Sequence, residues 1–134
     1  MPVAFLDLQE GSYGLRMARE NFVLKTLLEK GEVTWKPHGN SMSPKIASGD
    51  QVVVKKVPIQ AVRVGDAVYA KVKGNYYLHL LSAIDETQNR YQISNNHGYV
   101  NGWVTAENVY GLCVKIKDKA TVSDEDLQKR IAGN

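Results

Sequence analysis

Cysteine is nearly missing from this chain. Cys113 is the only one in 134 residues, which excludes an internal disulfide and a cysteine-rich zinc site. It lies in the apolar run Val109-Tyr110-Gly111-Leu112-Cys113-Val114, where a buried, inert thiol is expected. Long hydrophobic runs are missing as well. No stretch approaches the roughly 18 uninterrupted apolar residues of a spanning helix, so no membrane span is predicted. The first ten residues carry Asp7 and Glu10 and lack the basic start of a secretory signal. Nor is there a strong excess of one charge. Seventeen basic residues face 14 acidic ones for a net charge of +3, and the lysines are scattered, which argues against nucleic acid as a partner. These absences together suit a cytoplasmic protein. Repeats and low-complexity segments are absent too.

What is present suits one soluble domain with a real hydrophobic core: 43% hydrophobic and 23% charged residues over a chain of this length. From Leu15 to Lys30 the apolar period is helical. Met17, Leu24 and Leu28 share a face, Val23 and Leu27 widen it, and Gly31 is a natural stop. Arg16, Arg19, Lys25 and Lys30 read as a solvated face, because the chain turns extended at Val33 and leaves no room for a second, recognition helix. Short strands are predicted at 33–36, 51–57, 67–73, 76–84, 91–94, 103–104 and 109–116, with Gly74-Asn75 as a two-residue hairpin turn. Ser123 before Asp124, Glu125 and Asp126 is a helix N-cap with acidic residues in the first turn, and the helix should run to about Ile131. The expected organisation is an N-terminal segment and packing helix over 1–32, a mainly antiparallel β domain over 33–116, and a C-terminal helix and tail over 117–134, one domain overall.

Chemistry points to one loop. Gly39-Asn40-Ser41-Met42-Ser43-Pro44, then Gly49-Asp50 and a valine-rich run, place a hydroxyl in a glycine-bearing, proline-stopped loop just before a strand. Such residues also make ordinary turns. A serine needs a base to become a nucleophile. His38 is too close in sequence to be placed, and His97 falls in the loop Ser94-Asn95-Asn96-His97-Gly98. His79 sits mid-strand in Tyr76-Tyr77-Leu78-His79-Leu80-Leu81 and shares a face with Tyr77 and Leu81 by alternation. It reads either as a core histidine or as a general base with a pKa near neutrality.

The order Gly39-x-Ser41-Met42-x-Pro44, Gly49-Asp50 before a strand, Gly65-Asp66 before another, then a hairpin, resembles the serine peptidase fold of LexA-type self-cleaving repressors and type I signal peptidases. The resemblance covers roughly residues 33–116 and implies a LexA/signal-peptidase-like antiparallel β domain. In that superfamily the Ser-Met serine is the nucleophile and the base lies on the strand after the second Gly-Asp. Most bacterial members use lysine there, and the endoplasmic-reticulum signal peptidases use histidine. His79 occupies the matched position.

The resemblance therefore implies a soluble Ser41/His79 serine endopeptidase acting by acyl transfer on an extended protein or peptide, with no metal or cofactor. Met42 would help wall the pocket and Pro44 would fix the loop. Gly49, Asp50, Gly65 and Asp66 read as architectural turn residues. For the residue orienting the base, Asp50, Asp66, Ser94 and Asn95 all stand open; Ser94 takes the place of the aspartate found in histidine-type members. Leu80 stands where arginine usually follows the base. No Ala-Gly or Cys-Gly pair precedes Ser41, and Ala132-Gly133 reads as a frayed tail. Only 40 residues precede Ser41, which suggests neither a membrane anchor nor a leading DNA-binding domain, and this small size suits a phage- or mobile-element-encoded protein. Two alternatives remain: a catalytically weak or inactive peptide-binding module on the same fold, and a dimeric, UmuD-like accessory protein of DNA repair, for which a homodimer is expected.

Overall fold

The computed structural model describes residues 22–133. Helix α1 (22–30) leads into β1 (Glu32–Trp35), followed by β2 (Val52–Lys55), β3 (Ala67–Val72), β4 (Asn75–Asp85), β5 (Arg90–Ser94), β6 (Val100–Val104), β7 (Val109–Ile116) and β8 (Lys119–Ala120). Helix α2 (Asp124–Ile131) closes the chain. All strand pairs are antiparallel. They form an eight-stranded sheet in the order β1-β2-β7-β3-β4-β5-β6, with β8 paired to β7. The architecture is thus mainly antiparallel β with a helix before and after it.

The sheet is covered on both faces, and β3 shows why. Val68, Ala70 and Val72 enter one core with Leu81, Ile93, Leu112 and Leu127. Ala67 and Tyr69 enter a second core with Val23, Leu27, Met42, Ile46, Val52, Val54 and Cys113. Alternation along β3 therefore separates two buried faces rather than core from solvent. Lys71 is the one half-buried residue of that strand.

Two sequence expectations need correction. The buried stripe of α1 is Val23 and Leu27, at 3% and 0% exposure, whereas Leu28 is 47% exposed. Leu24 is only partly buried. Leu27 sets this angle because it meets the sheet where Gly111 of β7 has no side chain: a Cβ there would lie 3.0 Å from Leu27 Cδ2. Met17 lies outside the described residues. The β3–β4 turn is Lys73-Gly74, one residue earlier than expected. Both have positive φ, 52° and 86°, and Val72 pairs with Asn75. A two-residue turn that matches strand twist needs positive φ at both positions, and Lys73 accepts it.

The two Gly-Asp steps are one device used twice. The Asp50 carboxylate accepts the Ala47 N–H at 2.8 Å, and the Asp50 N–H returns to the Ala47 carbonyl at 3.0 Å. Asp66 does the same with Arg63, at 2.7 and 3.0 Å. Gly49 and Gly65, at φ 87° and 100°, supply the left-handed residue before each aspartate. These turns deliver the chain into β2 and β3. At the other end, Ser123 Oγ accepts the Asp126 N–H at 3.1 Å, the expected N-cap of α2. Arg130 on α2 then reaches back to Asp66 at 2.7 Å.

Candidate active site

Ser41 begins a single helix-like turn between β1 and β2. The Ile46 N–H donates to the Met42 carbonyl at 2.9 Å, and the Ser43 N–H and hydroxyl both donate to the Asn40 carbonyl. Met42 and Ile46 point inward, at 4% and 3% exposure. Their burial pins the turn and leaves Ser41 exposed. Pro44 follows on the exposed side after a cis peptide bond.

β4 carries His79 to this turn. Ser41 Oγ and His79 Nε2 are 3.0 Å apart across 38 residues of sequence. The other ring nitrogen, Nδ1, lies 2.7 Å from Asn101 Oδ1. An amide oxygen can only accept, so Nδ1 carries the proton. Nε2 is then the lone-pair nitrogen and accepts from the Ser41 hydroxyl. Tyr77 packs on the imidazole with ring centroids 4.7 Å apart, as expected for residues sharing a strand face. His79 is 6% exposed. Burial lowers its pKa below the ordinary imidazole value, and the hydrogen bond it donates to Asn101 opposes that shift only in part. At neutral pH the ring is an uncharged base.

The structure brings Ser41, Met42 and His79 together in one cleft of about 250 Å³. Val23, Met42, Ile46 and Tyr69 are buried beneath it. Trp35, Tyr76 and Leu78 form its sides; Tyr69 stacks on Tyr76 and meets Trp35 edge-on. No aspartate, glutamate, lysine or arginine among the described residues lines it. No group of His, Cys, Asp and Glu that could hold a metal ion occurs among them either.

Ser94 and Asn95 lie nearby on other duties. Ser94 is buried and pairs with Leu80 across β4 and β5. Asn95 Oδ1 accepts the N–H groups of His97 and Tyr99, shaping the β5–β6 loop. Asp50 and Asp66 are engaged in their own turns. The partner of the imidazole is Asn101, which sequence reasoning did not single out. Its one signal was Asn101-Gly102 beside Trp103-Val104, a glycine in a strand context that marks a bulge.

The fold, the serine turn and the histidine strand agree with one sequence family: residues 10–114 match the Peptidase S24-like family. This chain belongs to that family. The match covers both Ser41 and His79, and it makes the protein a peptidase-fold S24-like domain. No curated protein matches the sequence at a significant level. No helix among the described residues of this S24-like chain is long and apolar enough to cross a membrane.

Proposed function

We propose that this S24-like protein is a serine endopeptidase in which Ser41 is the nucleophile and His79 the general base. The observation that carries the reading is the 3.0 Å contact between Ser41 Oγ and the lone-pair nitrogen of His79. Ser41 Oγ attacks the scissile carbonyl while Nε2 takes its proton. The imidazolium then returns that proton to the leaving amine. Water repeats the cycle on the acyl-enzyme. Among the described residues the N–H groups of Ser41 and Met42 have no acceptor, which leaves them free to donate to a developing oxyanion. Each such donor lowers a barrier by about 3–4 kcal/mol.

The substrate is an extended peptide. β1 ends the described sheet on one side, and its Trp35 lines the cleft, so a peptide strand added there would gain backbone pairing. The residue that enters the cleft is apolar. A charged side chain would lose its hydration among Val23, Met42, Trp35 and Tyr69 and find no countercharge.

A second reading, a peptide-binding module without catalysis, is favoured by one observation: the outer partner of His79 is the neutral amide of Asn101 rather than a carboxylate. A serine-directed acylating probe separates the two. The peptidase labels at Ser41, labelling rises with pH through the imidazole titration, and Ser41→Ala and His79→Ala each abolish it. Absence of labelling at every pH from acid to mildly alkaline would leave the binding module.

A further inference from the structure

Four consecutive carbonyls of the nucleophile turn are held by one loop. His97 Nε2 lies 2.9 Å from the Asn40 carbonyl. The Asn96 N–H donates to the Ser41 carbonyl at 2.9 Å, and Asn96 Nδ2 donates to the carbonyls of Met42 and Ser43 at 3.4 and 3.1 Å. Both residues belong to the loop between β5 and β6. In a trans peptide the N–H points opposite the carbonyl of the same plane. With the Asn40 and Ser41 carbonyls facing the hairpin, the N–H groups of Ser41 and Met42 point away from it.

The same hairpin supplies Asn101. The β5–β6 register pairs Ile93 with Gly102 and Ser94 with Val100, so Asn101 is the extra residue of a β-bulge. A bulge residue leaves the ladder and its side chain is re-aimed; here it meets His79 Nδ1. Next to it, Gly102 lets the hairpin approach β3, since a Cβ there would lie 3.1 Å from Val72 Cγ1.

We propose that the β5–β6 hairpin is the positioning element of the site: Asn101 sets the tautomer and ring angle of His79, and Asn96 sets the Ser41 turn against it. This rests on the peptidase reading for its catalytic consequence but not for its geometry. Which end of the Asn101 amide faces the ring decides the outcome. With Oδ1 inward, Nδ1 is protonated and Nε2 can take the serine proton. With Nδ2 inward, Nδ1 must accept, Nε2 holds the proton and the base is blocked. In chymotrypsin-like enzymes an amide in this place costs about 10⁴-fold through that wrong tautomer. Ser41, Tyr77 and Asn101 are the polar side chains that touch His79. Neither a hydrogen bond nor an ion pair joins it to a charged side chain among the described residues.

The test combines ¹⁵N NMR of the His79 ring in the whole protein with acylation kinetics across pH. The wild type shows Nδ1–H and unprotonated Nε2 at neutral pH. Asn101→Ala loses the fixed tautomer and lowers the maximal acylation rate about 10²-fold, with little change in probe affinity. Asn101→Asp keeps the Nδ1–H tautomer, recovers rate and moves the acid limb of the profile upward, because a carboxylate stabilises imidazolium. Asn96→Ala lowers the rate while leaving the His79 tautomer intact. A wild-type ring protonated at Nε2 would overturn the proposal, as would an Asn101→Ala protein with unchanged tautomer and pH profile. If Asn101→Ala does not fold, the upward shift in Asn101→Asp decides the same question, and its absence counts against the proposal. A fixed wild-type Nδ1–H tautomer that Asn101→Ala abolishes, in a protein that no probe labels, would sink the peptidase reading and leave the positioning role standing.

Discussion

Ser41 Oγ stands 3.0 Å from His79 Nε2, and the two side chains have opposite surroundings. Ser41 is exposed on a turn, whereas His79 is buried on a central stretch of β4. The hydroxyl is open to solvent while the imidazole is shielded from it. Shielding also tunes the ring, since desolvation keeps it neutral.

The acid limb of acylation should therefore have its midpoint below about 6.5, the ordinary imidazole value. Measuring the rate of Ser41 labelling from pH 4.5 to 8.5 checks this. A midpoint clearly above 6.5 would contradict a base whose pKa is lowered by burial.

The same shift affects folding. Between the lowered folded pKa of His79 and about 6.5, the unfolded chain binds a proton that the native protein does not. Stability thus rises with pH across that window, is fully present above it, and is lost as pH falls. Urea unfolding at pH 5 and pH 7.5 should show a larger acid loss in the wild type than in His79→Gln. Equal losses in both would show that His79 takes no part.

Asp66 and Arg130 tie α2 to the turn before β3 at 2.7 Å, with side chains only 12% and 15% exposed. Asp66 also accepts the Arg63 N–H, and Arg130 also reaches the Ala61 carbonyl. Arg130→Met leaves a shielded carboxylate without its cation and should cost about 3 kcal/mol in a denaturation experiment. A loss within about 0.5 kcal/mol would class the pair with ordinary surface bridges.

Gly111 is where α1 and β2 close on β7. A Cβ would lie 2.6 Å from Val54 Cγ1 and 3.0 Å from the Lys55 carbonyl oxygen. Gly111→Ala should destabilise by about 2–3 kcal/mol, read as a shift of the urea midpoint, because backbone cannot yield as a side chain does.

Cys113 is 2% exposed, and burial pushes its thiol pKa up to about 11. A thiol-directed reagent at pH 8 should react with it only as fast as the protein opens. Rapid modification of native protein would place the thiol outside the core.

Local sequence was enough for much of this protein. A hairpin at Gly74, though not its register, the Ser123 cap, the valine-rich strands and the Gly-Asp turns depend on residues a few positions apart, whose backbone preferences act wherever they occur. Ser41 was legible because a glycine, an asparagine and a proline surround it, and His79 because its strand follows a second Gly-Asp step. The stripe of α1 was misjudged because several apolar registers on one short helix satisfy the same period. Only the opposing surface, with Gly111 below Leu27, selects among them.

The role of Asn101 belongs to the tertiary structure. Only Gly102 in a strand context sets it apart from the asparagines at 95 and 96, and a glycine that marks a bulge does not say what the bulged side chain meets. A one-residue bulge in the β5–β6 register turns its side chain toward His79, and the approach of Gly102 to Val72 holds the hairpin there. Sequence alone determined that a serine turn and a histidine strand exist. The tertiary structure, which no local preference encodes, decided their 3.0 Å approach and, through the β5–β6 register, which amide faces the histidine ring.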